Sequence, residues 1–126
     1  MNFRNLMIVS AVSGFVFGAA FVIVPGLLGS LLGLATTPAV VLVARLYGTA
    51  LLGVGILSWL VKDMTERTTQ QPILLAFLVI DFGGFLVLLM SLLSGLMNVL
   101  GWFIAIFLLV MSAAWAYLLL AKKSTA

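Results

Sequence analysis

The sequence predicts an all-α fold: a four-transmembrane-helix bundle with a short apolar interfacial segment between helices 1 and 2. Three observations carry this expectation. Of 126 residues, 65% are hydrophobic and 7% are charged, whereas globular domains average about 25% charged and about 45–50% apolar residues. The mean hydropathy is +1.39. Second, the apolar residues gather in four runs, each about the 20 residues needed to cross a hydrocarbon core about 30 Å thick. Third, these runs lack the polar/apolar alternation of membrane strands and are rich in Leu, Ala and Met.

The expected spans cover residues 6–24, 38–61, 72–93 and 100–121. Together they make residues 1–126 a single integral membrane domain and leave no room for a soluble one. The first span ends at Pro25-Gly26. An alternative reading of this stretch as a cleaved signal peptide fits poorly, because its apolar run exceeds the usual h-region of about 7–15 residues. Between spans one and two, Leu27, Leu28, Leu31, Leu32 and Leu34 fall on one side at helical spacing, and Gly26, Gly29, Ser30 and Gly33 on the other. That pattern suits either a short helix lying in the interface or a packed apolar connector. Thr36-Thr37-Pro38 supplies a hydroxyl cap and a first-turn proline for span two. Thr68-Thr69 and Pro72 give a looser version of this signal before span three. Gly95 and Asn98 mark the next turn, and Gly101-Trp102 opens span four.

Charge placement orients the chain. Arg4, Lys62, Arg67, Lys122 and Lys123 share one side of a four-span topology, while loops 25–37 and 94–99 carry no charge. The positive-inside rule therefore places both termini in the cytoplasm, as expected for a multi-pass protein of a cell inner (plasma) membrane. Trp59, Trp115 and Tyr117 fit an aromatic belt near the cytoplasmic lysines, and Trp102 fits the opposite one.

Two ionisable residues fall inside spans: Arg45 and Asp81. Each costs about 2.5–3.5 kcal/mol at a helix centre on insertion scales. By residue count Asp81 lies near the midplane and Arg45 lies in the outer half. Arg45 shares a stripe with Gly48, Thr49, Leu52, Ile56 and Trp59; Asp81 shares one with Gly84, Phe85, Leu88 and Gly95. Both charges are thus expected to face inward, and an extended Arg45 side chain has the reach to pair with Asp81. Such a pair serves either to fix helix register or to handle a proton or ion in a pathway. Small residues mark close helix contacts in membranes. Gly14 and Gly18 in span one, Gly48 in span two, and Gly84 and Gly95 around span three are the expected packing positions. Gly53 and Gly55 lie off the Arg45 stripe, so span two is expected to pack on two sides.

The chemical inventory is otherwise thin. There is no Cys and no His, which removes disulfides, thiolate metal sites and His-based catalysis. Asp63 and Glu66 sit in a turn with Lys62 and Arg67 and make a poor metal site. Phe82-Gly83-Gly84 matches no nucleotide fingerprint. No catalytic residue, metal, cofactor or nucleic-acid partner is expected.

The segment from Ala44 to Trp59, with Ala44-Arg45-Leu46-Tyr47-Gly48-Thr49 at its start, is similar to small bacterial four-helix membrane proteins. So are the Pro25-Gly26 break and Asp81-Phe82-Gly83-Gly84-Phe85. Together they resemble, distantly, the DoxX-like group. The resemblance implies a four-span bundle with an arginine in the outer half of helix 2, and it transfers no catalytic residue. The lack of Cys departs from redox-linked members and argues against a thiol-redox role. The expected function is that of a non-enzymatic scaffold or accessory subunit of a membrane complex. Its partners are the lipid bilayer and other membrane subunits or copies of itself. The alternative is a small-solute or ion/proton transport component using Arg45 and Asp81.

Overall fold

A computed structural model describes residues 2–125, with side chains through Leu120. The side chains of Lys122 and Lys123, two of the cations that orient the chain, lie outside the described set. Among the described residues all regular structure is helical: α1 (Phe3–Ile23), α2 (Pro25–Leu31), α3 (Pro38–Val61), α4 (Arg67–Leu93) and α5 (Gly101–Thr125). Helices α1, α3, α4 and the Gly101–Leu120 part of α5 are long and apolar enough to cross a membrane. The chain is a multi-pass membrane protein, with α2 as the short apolar segment expected between the first two spans. Residues 1–63 and 64–126 form two compact units.

In the first unit, α1 starts where the Asn2 side chain accepts a hydrogen bond from the Asn5 N–H at 2.8 Å. This cap offsets an orphan donor of the first turn. Pro25 stops α1, because it has no N–H to continue the ladder, and then serves as the first residue of α2. α2 ends in a Schellman arrangement: Leu34 N donates to Gly29 O and Gly33 N to Ser30 O. Gly33 takes the left-handed conformation this requires, at φ +75°. Leu27 and Leu31 are exposed while Leu32 is buried, so the leucine side is split between the surface and the unit's interior. Thr37 Oγ1 accepts from Val40 N at the start of α3, as the Thr-Thr-Pro signal predicts.

α1 and α3 pack antiparallel along a glycine seam. A Cβ at Gly14 would stand 2.9 Å from Gly55 Cα and Leu51 O, and one at Gly18 would stand 2.9 Å from Gly48 O. Backbones this close exclude any larger side chain and bring many atoms into dispersion contact. Further along the seam, Ser10 Oγ and Ser58 Oγ meet at 2.8 Å. Ser58 also donates to Val54 O at 2.8 Å. A hydroxyl has one proton, so Ser10 is the donor between them. Gly55 packs on Ala11 and Phe15, whereas a Cβ at Gly53 would meet nothing within 4 Å. Of the two positions off the Arg45 stripe, only Gly55 is used within this unit.

In the second unit, α4 begins at Arg67, five residues before the expected start. Hydropathy locates the apolar part of a helix, not its polar first turns. Those turns are held by side chains: Gln70 Nε2 donates to Met64 O at 2.7 Å, and Arg67 reaches the carbonyls of Leu118 and Leu119 on α5. Pro72 therefore sits inside the helix. α4 ends in a second Schellman arrangement, with Leu96 N on Ser91 O and Gly95 N on Leu92 O. Gly95 has φ +79° and a Cβ there would meet nothing within 4 Å. Its expected packing role is corrected: it is a glycine because it terminates a helix. Gly84 does face the other helix: a Cβ there would stand 3.3 Å from Leu108 Cδ1. Leu74, Phe77 and Leu92 of α4 and Ala105, Met111, Trp115 and Leu118 of α5 are buried.

Candidate functional site

Arg45 and Asp81 are the polar residues that a membrane span must explain. Arg45 belongs to the first unit and is exposed, at the rim of the α1–α3 contact rather than inside it. Its Nε donates to Val22 O at 3.2 Å. Val22 is in the last turn of α1, whose carbonyls have no helical donor ahead of them. A cation there also suits the negative end of the α1 dipole. Thr49 Oγ1 donates to the Arg45 carbonyl at 2.9 Å. The rest of the expected inward stripe is divided: Gly48 is buried, while Ile56 and Trp59 are exposed. Tyr47 packs edge-on against Phe21, with ring centroids 5.5 Å apart.

Asp81 belongs to the second unit and is half-buried near the middle of α4. Trp115 Nε1 donates to its Oδ2 at 2.6 Å. Trp115 is 0% exposed, and the edge of Phe77 braces it at a centroid distance of 5.2 Å. An indole N–H needs a partner when buried, and a carboxylate in an apolar span needs a donor. The two requirements are met by one bond. Each of the two intramembrane charges thus has a hydrogen-bond partner within its own unit.

The aromatic-belt expectation for Trp115 is corrected by this burial. Trp59 and Tyr117 are exposed, as belt residues should be. Trp115 instead follows Ser112 by three residues and Ala105 by ten, so it lies on the same helix face as these two buried residues. That register was the available signal for its inward position. Its bond to Asp81, a residue 34 positions away in sequence, had none.

At the Lys62 end, charges pair at the surface. Arg4 Nε lies 3.1 Å from Asp63 Oδ1, and Lys62 Nζ lies 3.4 Å from Asp63 Oδ2 and 4.1 Å from the Trp59 ring centroid. Arg67, expected as a solvated loop cation, is instead half-buried against α5, and its Nε is buried without a hydrogen-bond partner. Among the described residues no group of three or more His, Asp or Glu is placed to hold a metal ion. The chain matches no protein-family model, no curated protein and no solved structure.

Proposed function

We propose that the chain is a non-enzymatic scaffold or accessory subunit that packs against other membrane helices or copies of itself, in a plasma membrane with both termini cytoplasmic. One observation carries this reading: Gly53 and Gly83, each well inside a span, have nothing of their own unit within 4 Å of where a Cβ would stand. Glycine weakens a helix interior by roughly 0.5–1 kcal/mol relative to Ala. Unlike Gly14, Gly18 and Gly48, neither has a close contact within its own unit that requires a glycine. Small residues of this kind allow close approach of a further helix. The distant likeness of the Arg45–Trp59 segment to DoxX-like proteins, which transfers no catalytic residue, agrees with it.

The test is extraction at native levels in a mild detergent, followed by measurement of particle mass. Wild type is expected to run with partners, and Gly53→Leu and Gly83→Leu to release the 13.4 kDa chain. Migration of wild type as a lone chain would count against the proposal. Orientation is tested separately. The chain has no Cys, so single Thr65→Cys and Thr36→Cys variants give clean labelling sites. A membrane-impermeant thiol reagent applied outside cells is expected to label the second and spare the first.

A second reading rests on Asp81. A mid-span carboxylate with one oxygen held by Trp115 suits a proton- or ion-handling role. It requires flux in proteoliposomes that Asp81→Asn abolishes; flux indifferent to Asp81 and Arg45 substitutions rules it out.

A further inference from the structure

Arg45 carries hydrogen-bonding capacity that the first unit does not use. Only its Nε is engaged there, by Val22 O. The unit's single acidic residue, Asp63, lies at the far end of α3 and is held by Arg4 and Lys62. A guanidinium has five donors in a planar fork, so on this exposed residue the Nη pair is left without a counter-charge from its own unit.

The height of Arg45 says what it meets. The Arg4, Lys62 and Asp63 cluster marks one membrane surface at the Val61 end of α3. Arg45 lies sixteen residues before Val61, about 24 Å along the helix axis, in a hydrocarbon core about 30 Å thick. Side chains on a helix tilt toward its N-terminus. For Arg45 that direction is away from Lys62 and toward the opposite surface. A long arginine stem can then snorkel over the remaining distance, roughly 6 Å, to the headgroup boundary. The register agrees independently, because Arg45 contacts the last turn of α1 and the Pro38–Val43 part of α3 runs past it. Around the base of the side chain, Ile23, Leu42 and Leu46 are 71%, 60% and 63% exposed. A cationic fork above an exposed aliphatic surface is complementary to a phosphate group above acyl chains.

We propose that Arg45 is a lipid-phosphate position: its Nη fork grips the phosphodiester of a phospholipid in the leaflet at the α2 end, with acyl chains against Leu42 and Leu46. Guanidinium binds phosphate in a bidentate manner that an ammonium cannot reproduce. This inference is independent of whether the protein is a scaffold or a transport component.

The test uses the full chain in detergent, titrated with phosphatidylglycerol and read by native mass spectrometry. Wild type is expected to retain lipid roughly tenfold more strongly than Arg45→Gln, the scale of one charge-assisted contact. Arg4→Gln, at the other surface, is expected to retain it like wild type. If Arg45→Gln does not fold, Arg45→Lys carries the test: weaker retention than wild type is expected, and equal retention overturns the fork. Excess sodium phosphate is expected to leave the adduct in place. Displacement by it assigns the position to free phosphate and overturns the lipid source. Equal retention by wild type and Arg45→Gln overturns the proposal, as does lipid binding that emerges only in Asp81→Asn, which would make Asp81 the native counter-charge.

Discussion

Gly48→Ala probes the glycine seam at its tightest point. The added Cβ would lie 2.8 Å from Gly18 O and from Phe21 Cβ, and 2.9 Å from Val22 Cγ2. Two of these atoms are backbone or Cβ and cannot swing aside. Carbon contacts settle at about 3.5–4.0 Å, so α1 and α3 must part locally by roughly 0.7 Å or more. Overpacking of this kind costs about 1–3 kcal/mol, and the backbone entropy advantage of Ala offsets about 0.4–1 kcal/mol of it. The net loss is up to about 2.6 kcal/mol with a central value of about 1.3 kcal/mol, roughly a factor of ten in the folded-to-unfolded ratio. Gly53→Ala is the matched control in the same helix, with nothing within 4 Å; in a monodisperse detergent preparation it keeps only the entropic gain. The assay is reversible unfolding in a denaturing detergent, followed by far-ultraviolet circular dichroism. Equal stability of Gly48→Ala and Gly53→Ala would refute the seam as described.

Three further expectations concern polar contacts. Trp115→Phe and Asp81→Asn should show a coupling of about 1–2 kcal/mol in a double-mutant cycle of thermal unfolding, and zero coupling would deny the bond between them. Ser58→Ala strips the acceptor from a buried Ser10 hydroxyl and should cost about 1 kcal/mol, whereas adding Ser10→Ala removes the stranded donor and should cost nothing more in the same unfolding assay. Arg4→Gln should change stability by less than about 0.5 kcal/mol at moderate salt, because its partner Asp63 is 66% exposed and such pairs are screened; a larger loss in the unfolding midpoint would contradict this.

The spans were legible because membrane thickness dictates a run length that survives in any single sequence. The caps at Thr37 and the break at Pro25 were legible for a local reason, since both act within four residues. The five extra residues of α4 were not, because a polar helical turn and a polar loop have the same hydropathy. What holds that turn is Arg67 on α5 carbonyls, a contact across more than fifty residues. At the candidate site, residue scarcity exposed Arg45 and Asp81 at once. Their partners were hidden, since Val22 contributes a backbone carbonyl that every residue has. Trp115 carries a tryptophan's interfacial preference, and burial overrides it. Gly14, Gly18 and Gly48 were readable from spacing, but the same composition at Gly95 reflected a positive φ rather than packing.

The division of the chain near Asp63 bears on how the protein is made. Each half has its own antiparallel helix pair, its own tight closing turns and its own intrahelical and interhelical bonds. The Gly14–Gly55 and Ser10–Ser58 contacts involve only residues already synthesised when Lys62 leaves the ribosome. The leading pair can therefore release from the insertion machinery as a finished hairpin, before the segment bearing Asp81 has been translated. The carboxylate then enters a bilayer in which the first unit is already in place, and Trp115, the donor that shelters it, arrives only as α5 emerges.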